Sequence, residues 1–136
     1  MTITKKPRRV KTPEQVYKII IAILEREEKI DQEKEHFWVL GLNTKGVTRY
    51  IELVSLGSLN NSLVYPREVF RLAIMNGIAS IIMCHNHPSN EVDPSEDDLK
   101  TTKRLAEAGK ILGIEVLDHI IIGTNCYLSL KEKETF

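Results

Sequence analysis

Apolar positions along this chain change their period several times, and each change marks a new element. Val16, Ile19, Ile20, Ile23 and Leu24 recur at helical spacing behind Thr12-Pro13-Glu14-Gln15. In that start signal Thr12 caps, Pro13 suits the first turn and Gln15 reaches back to the cap. The pattern predicts a helix from about residue 12 to Lys29, with the charged stretch Glu25 to Glu35 as its exposed end and a connector. Phe37 to Leu42 is apolar without alternation, the mark of a short strand buried on both faces. After a turn at Asn43-Thr44-Lys45-Gly46, Val47 to Leu56 alternates in part and predicts a second strand, paired with the first as a hairpin. Gly57 to Val64 reads as a loop with Asn60-Asn61 as turn formers. Pro66 opens a second helix with Val69, Phe70, Ala73 and Ile74 as its buried stripe and Asn76-Gly77 as its stop. Ala79 to Cys84 predicts a third buried strand, and Ser95 to Leu112 a third helix closed by Gly113. Two last strands, Ile114 to Ile122 and Tyr127 to Leu130, flank a Gly123-Thr124-Asn125 turn. The order α-β-β-α-β-α-β-β describes an α/β domain, helices packed on a mixed sheet.

Length agrees with one such domain: 136 residues, read as a tail over 1–11 and a domain over 12–136. Nineteen basic residues balance nineteen acidic ones, so the chain lacks the overall positive excess of a dedicated nucleic-acid binder. Lys5, Lys6, Arg8, Arg9 and Lys11 crowd the start, leaving fourteen basic against nineteen acidic residues beyond it. That basic tail reads as mobile and solvated, with weak, salt-sensitive nucleic-acid contact as its functional alternative. No apolar run reaches the roughly 18–20 residues of a membrane span, and no signal-peptide core is present. Two cysteines, Cys84 and Cys126, do not make a disulfide scaffold, so a cytoplasmic setting is expected.

Chemistry concentrates after the third strand. His85 and His87 stand two apart where a turn can aim both imidazoles at one point, and Asp98 follows eleven residues beyond His87 at the start of a helix. Two neutral imidazoles and a carboxylate suit a zinc ion while leaving a coordination position open, as in catalytic sites. The same acid has a structural explanation: in Ser95-Glu96-Asp97-Asp98, Ser95 caps the helix and Asp98 is the acid three residues on. The two roles are compatible, because a capped helix start is a rigid mount for a ligand. Cys84 and Trp38 read as core, His36 as a surface residue, and His119 as a hydrogen-bonded sheet histidine rather than a fourth ligand.

His85-x-His87-Pro88-x(6)-Ser95-x-x-Asp98 resembles the metal motif of the JAMM (JAB/MPN+) metallopeptidases. More narrowly, Glu35 to Leu40, Val64 to Val69, His85 to Ser89 and Leu117 to Gly123 resemble the C-terminal domain of the RadC family, in matching order across residues 12–130. The resemblance implies a JAB/MPN (cytidine-deaminase-like) fold, a curved mixed β-sheet flanked by helices. It implies one Zn²⁺ per chain on His85, His87 and Asp98, with Glu35 as general base and Ser95 as donor to the metal water or the oxyanion. Glu35 shares its charged connector with Glu33, and no spacing rule separates the two. The implied activity is hydrolysis of a peptide or isopeptide bond in a peptide or protein substrate, with water activated on zinc. Two other readings come with the family: a repair- or recombination-associated protein that binds nucleic acid, and a non-catalytic JAB scaffold. Intact ligands speak against the scaffold. The thirty-odd residues before the first strand are expected to hold no counterpart of the helix-hairpin-helix region of full-length RadC proteins, an expectation that weighs against the most direct DNA contact. Asn90 stands where the family commonly has glycine, and Asn tolerates the positive φ such a loop uses. Exposed sheet edges are compatible with a homodimer.

Overall fold

A computed structural model describes residues 2, 3, 9–57 and 64–136 of the chain. Six strands form one sheet in the order β1-β3-β2-β4-β5-β6: β1 Thr2–Ile3, β2 Glu35–Leu42, β3 Thr48–Gly57, β4 Ser80–Asn86, β5 Glu115–Ile122 and β6 Tyr127–Ser129. Among the described residues only β4 and β5 run parallel, and the long helix between them makes that crossover. Among the described residues the helical segments are α1 Pro13–Leu24, α2 Lys29–Gln32, α3 Pro66–Val69, α4 Arg71–Met75 and α5 Glu96–Leu112. The fold is the mixed α/β sheet with flanking helices expected of a JAB/MPN domain.

Alternate residues of the central strands feed two cores, which is why those strands carry no polar alternation. Trp38, Leu40, Ile82, Cys84 and Ile120 pack on one face with Val16, Ile20 and Ile23 of α1. Phe37, Val39, Ile81 and Met83 pack on the other with Val69, Phe70 and Leu105. Caps fix both longer helices. Thr12 and Gln15 form a capping box on α1; Ser95 and Asp98 form one on α5, which ends at Gly113 in the left-handed region, φ 74°.

Three expectations change. The single helix from Pro66 is two, interrupted at Phe70 with φ −96° and ψ −2°, so Phe70 turns fully into the core while Ile74 is exposed. The first helix ends at Leu24 and the connector carries the short α2. Residues 1–11 are not wholly a tail: Thr2 and Ile3 pair with Glu52 and Ile51, and the Val10 N–H donates to Gly46 O at 2.9 Å. The pairing of Thr2 and Ile3 engages backbone groups on the edge of β3 that faces away from β2. The loop expected about Asn60-Asn61, and Lys5, Lys6 and Arg8 of the basic segment, lie outside the described residues. Among the described residues no helix is long and apolar enough to cross a membrane.

Candidate metal centre

The β4 strand ends at His85 and Asn86, and α5 begins beside it, so the strand end and the capped helix start face one another. His85 Nε2 lies 3.0 Å from His87 Nε2 and 3.2 Å from Asp98 Oδ1, and His87 Nε2 lies 3.1 Å from Asp98 Oδ2. His85 and Asp98 are buried and His87 is partly open, so the cluster has one accessible side. The capping box holds the acid in place: Asp98 N–H donates to Ser95 Oγ at 3.0 Å, and Ser95 N–H donates to Asp98 Oδ2 at 2.9 Å. Ser95 Oγ accepts in that box, which leaves its own O–H available to donate outward.

Hydrogen bonds on the far sides of the rings decide what the near sides can do. His87 Nδ1 lies 2.6 Å from Glu91 O, and a carbonyl only accepts, so Nδ1 carries the hydrogen. In the neutral ring His87 Nε2 is then a bare lone pair aimed at Asp98 and His85. A carboxylate and a lone pair meeting at hydrogen-bond distance need a cation between them. Without a metal that cation is a proton. The bond to Asp98 is the largest influence and raises the His87 pKa; burial opposes it, while the Glu91 carbonyl and the charges of Asp98 and Glu35 add to the rise. Burial alone would push the Asp98 carboxyl up, but when the rings are protonated, hydrogen bonds from His85 and His87, the charge of His85 and the Ser95 N–H together hold it far below the usual range. Zinc fits the same demand. Bonds of about 2.0–2.1 Å in tetrahedral array set ligand atoms roughly 3.3 Å apart, close to the separations here, and the three residues could hold a metal ion.

Glu35 begins β2. The β2–β4 ladder pairs Phe37 with His85, and continuing that register by two residues places Glu35 opposite His87. Its charge is among the influences on His87. Glu33, exposed, instead lines a neighbouring cavity of about 330 Å³ together with Leu24, Glu25, His87, Pro88 and Ile122.

Asn86 extends the ladder past its last backbone pair. His36 N–H donates to Asn86 Oδ1 at 2.6 Å, and Asn86 Nδ2 donates to Lys34 O at 3.0 Å. One carboxamide thus grips the peptide groups on both sides of Glu35. The pattern overlooked Asn86, although a buried amide between two ligand-type histidines must find partners. His36 is buried rather than exposed, stacked on Trp38 at 4.9 Å between ring centroids, with Nε2 2.6 Å from Glu27 Oε2 in ion-pair contact without hydrogen-bond alignment. Its charged neighbours in sequence disguise that burial. Cys84 and Trp38 are core residues, as expected. Asn90 takes φ 67°, and its Oδ1 accepts from Thr124 N–H and from Asn125 N–H, the latter at 3.3 Å, tying the loop after His87 to the β5–β6 turn. From the basic segment, Arg9 Nε donates to Lys45 O at 3.0 Å.

The family description "RadC-like JAB domain" matches residues 10–135. A UPF0758 protein of Alkaliphilus metalliredigens is 53% identical over 125 residues, covering 92% of this chain and 52% of the relative. A UPF0758 protein of Methanosarcina mazei is 46% identical over 133 residues, covering 97% and 56%. One from Listeria monocytogenes is 58% identical over 103 residues, covering 76% and 46%. The chain spans about half the length of these curated relatives. A match over nearly every residue, on a fold that brings His85, His87 and Asp98 together, places the chain in the family of RadC-like JAB domains.

Proposed function

We propose that this chain is a zinc-dependent hydrolase acting on a peptide or isopeptide bond. The observation that carries the reading is the convergence of two histidine Nε2 atoms and the Asp98 carboxylate within 3.0–3.2 Å of one another, with the charge of Glu35 acting on His87. His85, His87 and Asp98 would hold the metal, and three protein ligands would leave a position for water. A zinc ion bound there supplies Lewis-acid activation of water and of a carbonyl. The Glu35 carboxylate takes the proton of the attacking water at its oxygen and delivers it to the leaving amine nitrogen. The Ser95 O–H, free of donor duty in the capping box, donates to the oxygen that gains charge. Asn86 keeps the base in place through its bonds to the His36 N–H and Lys34 O, and the Ser95–Asp98 box keeps the ligand in place.

Glu35→Gln tests the assignment on protein loaded with zinc, assayed against fluorogenic peptides and lysine-linked isopeptides. The expected result is unchanged zinc content with activity lowered at least 100-fold, the scale of a lost general base. Full activity in Glu35→Gln refutes the base. Absence of hydrolysis from zinc-loaded wild type across both substrate classes counts against the peptidase reading itself.

A further inference from the structure

Behind His85 a second chain of polar groups runs away from the site, and its hydrogens are countable. Thr102 Oγ1 lies 2.7 Å from Asp98 O and 2.5 Å from His119 Nδ1. The Asp98 carbonyl only accepts, so the single hydroxyl hydrogen of Thr102 goes to it. Thr102 Oγ1 must then accept from His119, which puts the His119 hydrogen on Nδ1 and leaves its Nε2 bare. His119 Nε2 lies 2.7 Å from His85 Nδ1, so in a pair of neutral rings the hydrogen between them belongs to His85. His85 Nε2 is thereby left as a lone pair facing His87 and Asp98. All three relay members are buried, and the His119 backbone is itself held by Asp118 Oδ1 at 2.7 Å.

We infer that Thr102 and His119 are positioning residues that set the tautomer of His85, keeping Nε2 bare for the metal. The inference rests on the metal reading of His85, His87 and Asp98. The relay starts at the main-chain carbonyl of one ligand, Asp98, and ends on the ring of another, His85, so the two are coupled through hydrogen bonds even before an ion joins them. Removing the Thr102 hydroxyl leaves His119 Nδ1–H buried without an acceptor. The cheapest repair moves the His119 hydrogen to Nε2, which then donates to His85 Nδ1 and forces the His85 hydrogen onto Nε2, where it blocks the metal. Partners of this kind behind a ligating histidine are worth 10–100-fold in metal affinity.

The test is nitrogen-15 NMR of histidine-labelled, metal-free protein at mildly alkaline pH, with zinc affinity measured by competition against a chromophoric chelator. Wild type should show His85 protonated on Nδ1. Thr102→Val, which keeps the shape and removes the hydroxyl, should move that hydrogen to Nε2 and weaken zinc binding 10–100-fold. Thr102→Ser should restore both. His85 protonated on Nε2 in metal-free wild type overturns the inference without any variant, even if Thr102→Val does not fold. So does a Thr102→Val protein that keeps the Nδ1 tautomer and binds zinc within twofold of wild type. A wild type with the expected tautomer but no zinc affinity sinks the metal reading, and with it the purpose assigned to the relay.

Discussion

Replacing Asn86 with alanine isolates one hydrogen-bond clamp, and its cost can be worked out from the partners left behind. Lys34 O keeps a donor, because His36 Nδ1 lies 2.7 Å from it. The His36 N–H has Asn86 Oδ1 alone, in a place where both residues are buried. The variant therefore orphans one buried donor, a loss of about 1–3 kcal/mol, rather than two bonds' worth. For a domain of this size that corresponds to a fall in melting temperature of about 4–12 °C. Urea denaturation followed by fluorescence of the buried Trp38, which lies two residues from His36, gives the free energy directly. The m-value should stay constant, since the change is local. Because the Asn86 side chain bonds the His36 N–H and Lys34 O rather than Asp98 or the rings of His85 and His87, zinc stoichiometry should persist. A loss under about 0.5 kcal/mol would refute the claim that this amide alone satisfies the His36 N–H.

Other outcomes follow from the same geometry. Gly109→Ala gains about 1 kcal/mol of helix propensity, yet its Cβ would run into Ile114 O and meet Val116 Cγ2 at 3.2 Å; net destabilisation in thermal melts is expected, and a raised melting temperature would contradict the close packing of α5 on β5. Burial pushes the Cys84 thiol well above its usual pKa, with the charge of Asp118 adding to the rise, while Cys126 is only partly covered. Thiol titration of native protein should therefore count one reactive group and denatured protein two; two fast thiols in the native state would refute the burial. Ser95→Ala should cost about 1 kcal/mol as a lost N-cap, read by urea denaturation, and a neutral result would remove the capping box from the account.

Local signals carried the candidate metal triad, because an H-x-H pair at a strand end and an acid in a helix cap are each written within a few residues. The strands and α5 were legible for the same reason: unbroken apolar runs and explicit caps. What stayed hidden depends on pairing across the sheet. Glu35 acquires its place only when Phe37 pairs with His85, a register no linear spacing encodes. His36 sits among charged neighbours yet stacks on Trp38 inside the fold. Phe70 breaks a good helical pattern because its ring is needed in the core, where tertiary packing outweighs propensity. Thr102 and His119 lie seventeen residues apart, and only the packing of α5 on β5 brings their side chains together.

Metal content, measured by elemental analysis on protein purified without chelator or histidine tag and compared with Asp98→Ala, reaches the central claim most directly. About one zinc per wild-type chain and little in the variant is the expected result. No metal bound by wild type, even after zinc is added at saturating concentration, would contradict it.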